Sequence, residues 1–138
     1  MKIKETTDIR VRFNETDPLG IVWHGHYITY FEDGREDFGK KQGISYLDIK
    51  SQGFVTPIVE SSCEHKLPLK YGDIAKIETT FEDHPATKMV FSYKIFNPEG
   101  AEVCTGKTIP VFLDENGDLV LNMPLFFEQW KRKVGLIQ

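Results

Sequence analysis

Thr16-Asp17-Pro18-Leu19-Gly20-Ile21-Val22-Trp23-His24-Gly25-His26-Tyr27 sets one acid ahead of a turn, an apolar run and then the start of a helix. Upstream of it, Ile9, Val11 and Phe13 alternate with polar residues at the period of a half-buried strand, and Asp17-Pro18-Leu19-Gly20 breaks that strand. Downstream, Tyr27, Tyr30, Phe31, Gly34 and Phe38 fall on one helical stripe, with Glu32, Asp33, Glu36, Asp37, Lys40 and Lys41 on the wetter side. Glu36 with Lys40, and Asp37 with Lys41, are acid-before-base pairs at helical spacing. Gly43 is the natural stop. Gly34 weakens the helix, so it marks a place where the sheet's packing brings backbone close.

Tyr46 to Lys50 reads as a short helical turn ended by Gly53. Val55 to His65 is a strand in which Pro57 indicates an edge position or a bulge. After a turn at Tyr71-Gly72, Ile77, Thr79 and Phe81 alternate with Lys76, Glu78, Thr80 and Glu82, giving a strand with one wet face. A turn at His84-Pro85-Ala86 leads to the alternating set Met89, Phe91, Tyr93 and Ile95. Asn97-Pro98-Glu99-Gly100 turns the chain again, and Val103 to Leu113 is a long last strand. Three strands at hairpin spacing predict an antiparallel meander. Asp114 to Asp118 is a further tight turn, and Pro124 suits the first turn of a short terminal helix carrying Leu125, Phe126, Phe127, Trp130 and Val134. One long helix with several antiparallel strands is an α+β pattern in which the sheet buries its apolar face on the helix.

The 138 residues read as one domain, residues 1–138, with room for a real core. Acids outnumber bases by 21 to 17 and the two are interspersed, which leaves no basic footprint for nucleic acid or an anionic membrane. The N-terminal segment lacks an apolar signal core and no stretch is apolar enough to span a bilayer, so the expectation is a cytoplasmic protein without membrane insertion. Cys63 and Cys104 fall within strands, where a small buried thiol is commoner than a disulfide.

Asp17 has two readings. Asp before Pro opens turns by bonding nearby amides with its side chain. A carboxylate facing the N-terminal amides of a helix can instead attack an acyl carbonyl, or direct water at it, while those amides hold the developing negative charge. His24 and His26 invite a metal reading, but imidazoles at a helix start diverge and no further ligand stands at a recognised spacing, so no metal is expected. His24 can donate a proton near neutral pH. Tyr27 either lines a ligand pocket or opens the core stripe. His65 and His84 show no partner in the sequence.

Asp17, Gly20, Ile21, Val22 and Trp23, followed by Tyr27, Glu32 and Arg35, resemble the Asp-x-x-Gly-(Ile/Val)-Val-aromatic turn and helix of the 4-hydroxybenzoyl-CoA thioesterase-like branch of the hotdog-fold superfamily. Pro57, Leu67 to Asp73 and Gly106-Lys107-Thr108 extend the likeness over the whole domain. The resemblance implies a hotdog fold, an antiparallel sheet wrapped around one long central helix, in a homodimer or homotetramer. It implies an acyl-CoA thioesterase without a cofactor. Asp17 would act as nucleophile or general base, with the amides of His24 and Gly25 as oxyanion hole. Tyr27 would meet the acyl group, and Lys66, Lys70 and Arg35 are the cations open to coenzyme A. A second thioesterase design uses a helix carboxylate, here Glu32 or Asp33. The fold also hosts acyl-carrier-protein thioesterases and non-catalytic acyl-CoA-binding or sensor modules.

Overall fold

The structure is a computed structural model that describes residues 2–84 and 89–137. Five strands form one antiparallel sheet: β1 (Lys2–Arg10), β2 (Ile58–His65), β3 (Ile74–Glu82), β4 (Val90–Phe96) and β5 (Glu102–Pro110), in spatial order β1-β3-β4-β5-β2. The helix α1 (His26–Gln42) lies on one face, and α2 (Tyr46–Ser51) and α3 (Leu125–Lys133) complete the chain. This is the expected hotdog arrangement, with β3, β4 and β5 as the meander.

The helical stripe is buried as its spacing predicts: Tyr27, Tyr30, Phe31, Gly34 and Phe38 all face the sheet. Gly34 is where helix and sheet meet most closely, since a β-carbon there would lie 2.5 Å from Thr79 Oγ1 and 2.8 Å from Ile77 Cγ2. Gly106 of β5 makes the matching concession, leaving room for the Phe31 ring, which stacks on Tyr93 at 4.5 Å. Gly43 ends α1 with φ +79°. Polar contacts bind the wet flank of α1 to β1, where Thr7 Oγ1 donates to Asp37 Oδ2 and Gln42 Nε2 donates to Glu5 Oε2. At the same C-terminal end of the helix Trp130 of α3 donates its indole N–H to Gln42 O at 2.8 Å.

Pro57 immediately precedes β2, which is an edge strand with a bulge between Ile58 and Glu60. Several boundaries differ from the sequence reading. β1 ends at Arg10, and Phe13 belongs to a 3-10 turn, Phe13–Glu15, with its ring exposed against Tyr71. β5 ends at Pro110, although Val111 and Leu113 still bond Pro57 and Val55. Pro124 is the residue before α3 rather than in its first turn, and Leu125 is exposed while Phe127 and Trp130 are buried. α2 opens with a Ser45/Asp48 capping box that the sequence reading passed over. Pro85 and Ala86 of the expected turn lie outside the described residues. No helix among the described residues is long and apolar enough to cross a membrane.

Candidate active site at the start of the long helix

Asp17 opens a tight hairpin. Its amide donates to Ile21 O at 2.8 Å, its carbonyl accepts from Gly20 N–H at 2.9 Å, and Gly20 has φ +79°. Oδ1 accepts from Leu19 N–H at 2.9 Å, which is the turn-opening role. Asp17 is half-buried, and Oδ2 has no hydrogen-bond partner among the described residues. The neighbouring carboxylate is committed: Glu15 Oε1 accepts from Arg12 N–H at 2.7 Å and from Tyr30 OH at 3.0 Å. Backbone bonds fasten the hairpin on both sides, from Val22 N–H to Leu69 O and from Trp23 N–H to Glu15 O, each 2.9 Å.

Trp23, His24 and Gly25 form the corner between hairpin and helix. His26 N–H and Tyr27 N–H turn back onto Trp23 O and His24 O, at 2.9 and 3.4 Å. The amides of His24 and Gly25 donate to no acceptor among the described residues. They stand at the positive end of a 17-residue helix dipole, so the corner offers two free donors where negative charge is favoured. Gly25 has an ordinary helical backbone, and what excludes a side chain is the Trp23 indole folded against it.

Tertiary structure adds His65, at the end of β2, to this corner. Its ring meets His24 edge-to-face at 6.1 Å between centroids and Tyr27 at 5.2 Å, and its Nδ1 lies 3.8 Å from Cys63 Sγ. Tyr27 is buried with its hydroxyl accepting from Leu69 N–H at 3.3 Å. Burial raises the Tyr27 hydroxyl above its ordinary range, against the lowering effect of that bond. Burial likewise raises both free thiols, Cys63 and Cys104. His26 packs its ring on Trp23 at 5.5 Å. Among the described residues no group of three or more His, Cys, Asp or Glu side chains has a metal-holding arrangement.

The cations are unequal. Lys66 is ion-paired with Glu102, while Lys70 is exposed and its ammonium has no partner among the described residues. Arg35 holds Glu32 with Nε and Nη2 at 3.1 and 2.5 Å. Glu32, Asp33 and Arg35 rim a hollow of about 350 Å³ floored by Ile49, Met89 and Phe91. Burial and then the Glu15 charge raise the Asp33 carboxyl. The two carboxylate designs are thus on separate elements: Asp17 on the hairpin, its Oδ2 without a partner among the described residues, and Glu32 or Asp33 on the helix, with Glu32 tied to arginine.

A profile of the thioesterase-like superfamily matches residues 11–131. The chain is 32% identical over 123 residues to a putative acyl-CoA thioesterase, YneP of Bacillus subtilis, covering 89% of each chain. Its structure is similar to a DHNA-CoA thioesterase from Staphylococcus aureus, with TM-score 0.87 and 30% identity over 96% of this chain and 91% of that one. A complex of 4-hydroxybenzoyl-CoA thioesterase with 4-hydroxybenzoyl-CoA shares the fold, with TM-score 0.79 and 24% identity over 92% of this chain and 97% of that one.

Proposed function

The chain belongs to the thioesterase-like superfamily, and from that premise we propose that it is an acyl-CoA thioesterase whose chemistry is carried by Asp17 and the corner Trp23-His24-Gly25. The observation that carries the reading is that one oxygen of Asp17 and the backbone amides of His24 and Gly25 have no hydrogen-bond partner among the described residues. Asp17 either adds to the thioester carbonyl carbon or takes a proton from the water that does so. In both routes the carbonyl electrons move onto oxygen, where the His24 and Gly25 amides hold them. Loss of one such donor typically raises a barrier by about 3 kcal/mol. Collapse breaks the carbon–sulfur bond, and the departing thiolate takes a proton from His24. Where Asp17 has added, the product is a mixed anhydride that water then cleaves, freeing the carboxylate; in either route the proton that water gives up returns to His24, so the net change is hydroxyl to the acid and hydrogen to the thiol.

Lys70, whose ammonium has no partner among the described residues, is the better candidate of the two lysines for a coenzyme A phosphate, and Tyr27 acts from beneath as a wall. Residence in the cytoplasm and pairing of two copies belong to the same reading. The exposed edge strand β2 with Val59, together with exposed Phe13, Leu19 and Tyr71 beside the hairpin, supports a second copy covering this side.

Free-thiol release from short, medium, long and aromatic acyl-CoAs tests the proposal, with Asp17→Asn and Glu32→Gln compared. An asparagine keeps an Oδ1 for Leu19 N–H, so the hairpin survives while the charge is lost. The expected result is a fall in kcat of about 10²-fold to 10⁴-fold for Asp17→Asn only. Tight acyl-CoA binding without hydrolysis would replace the enzyme with a binding module, and a larger loss in Glu32→Gln would move the chemistry to the helix carboxylate.

A further inference from the structure

We propose that His65 is a positioning residue for His24: the two imidazoles, 41 positions apart in sequence and in edge-to-face contact at the start of α1, act as a pair in which His65 sets the ring orientation and proton uptake of the group that serves the leaving thiolate. His65 is itself held on two further sides. The Tyr27 ring lies 5.2 Å from it, and Cys63 Sγ faces its Nδ1 at 3.8 Å. Nε2 has no partner among the described residues.

The titratable groups facing the pair are Cys63 from β2, Cys104 from β5 opposite His65, Tyr27 from α1, and His26 across the Trp23 ring. Charged neighbours along β2 are Glu64 and Lys66, the latter already paired with Glu102. Burial keeps both thiols and the phenol protonated near neutral pH, so none of them supplies an anion to the rings. Two positive charges about 6 Å apart repel, so a proton on the His65 ring disfavours one on the His24 ring. The edge contact limits the angles open to the His24 ring.

This inference rests on the proton-donor role given to His24 above, and one of its tests is independent of turnover. In the full chain with labelled imidazoles, NMR titration should place the His24 midpoint about half a pH unit lower in the wild type than in His65→Phe, the size expected for unit charges at that distance in a solvated setting. An unmoved midpoint overturns the pairing. In kinetics with benzoyl-CoA as the probe, His65→Phe should lower kcat about tenfold with KM within about twofold, and His65→Gln should do the same while keeping a polar side chain. In a His24→Gln background His65→Phe should cause no further loss, because a residue acting through another has nothing left to act on. Additive losses overturn the proposal. If the wild type releases no thiol from any acyl-CoA, the hydrolase reading fails and the NMR titration alone decides whether the rings are coupled.

Discussion

The indole of Trp23 lies across Gly25: a β-carbon on that glycine would come within 2.1 Å of Cζ3 and 2.4 Å of Cη2. The backbone there, φ −67° and ψ −18°, is open to any residue, so the ring is what keeps the position bare.

Gly25→Ala should therefore displace the outer edge of a half-exposed indole without straining the chain. Thermal stability should fall by about 1 kcal/mol, since Gly25 is the N-cap of α1, where alanine is disfavoured relative to glycine. Trp23 fluorescence should shift, against the constant signal of buried Trp130. Activity should drop at least about tenfold, because the methyl group and the displaced ring crowd the free amides. An unchanged fluorescence spectrum would refute the contact.

Gly34→Ala meets a firmer obstacle. The β-carbon would press on Thr79 Oγ1 and Ile77 Cγ2, both on buried β-branched side chains of β3. Overpacking of this kind costs about 1–3 kcal/mol, which outweighs the roughly 1 kcal/mol of helix propensity gained. A lower melting temperature is expected, partly restored by adding Thr79→Ala. That second change also removes a buried hydroxyl without a hydrogen-bond partner among the described residues. Denaturation of the single and double variants checks this, and a Gly34→Ala protein as stable as the wild type contradicts it.

Lys131 of α3 is buried, with Nζ 2.5 Å from Asp83 Oδ1, donating to His84 O at 3.3 Å and standing over the Phe127 ring. Asp83 retains access to water and Lys131 does not, so removing either partner is not equivalent. Asp83→Asn leaves a buried ammonium without its counter-charge and should cost about 3 kcal/mol, whereas Lys131→Met leaves a hydrated carboxylate and should cost less. The order of the two unfolding free energies is the test, and the reverse order would refute the argument.

Ser92 Oγ donates to Glu82 Oε2 at 2.5 Å, and Lys2 lies 3.3 Å from the other oxygen. The Ser92 bond, opposed by partial burial and helped by Lys2, holds this carboxyl below its ordinary value of 4.5. A carboxyl depressed in the folded state contributes its full stabilisation above the ordinary value and loses it as pH falls through the depressed one. Ser92→Ala should cost about 1 kcal/mol at pH near 7, and the gap from wild type should narrow below about pH 4. Equal gaps in urea melts at both ends of that range would contradict the assignment.

Local pattern was enough for most of the fold. Period two in β3 and β4 and the Tyr27-to-Phe38 stripe in α1 each bury one face, and burial of one face is what those periods encode. Gly34 was legible for the same reason, since a glycine inside a helix needs a tertiary cause. Boundaries such as Phe13 and Leu125 were not. An apolar residue can continue a period past the end of an element, and only the course of the chain decides whether it finds a neighbour.

Sequence alone determined an α+β chain with a single long helix and an acid-bearing turn leading into it, because hydrophobic period and turn chemistry act between residues a few positions apart. Tertiary structure alone decided that β2 pairs with β5 and carries His65 to His24 and Tyr27, and that Trp23 covers Gly25. Contacts between residues distant along the chain are fixed by how the sheet and helix dock, and no local spacing records that.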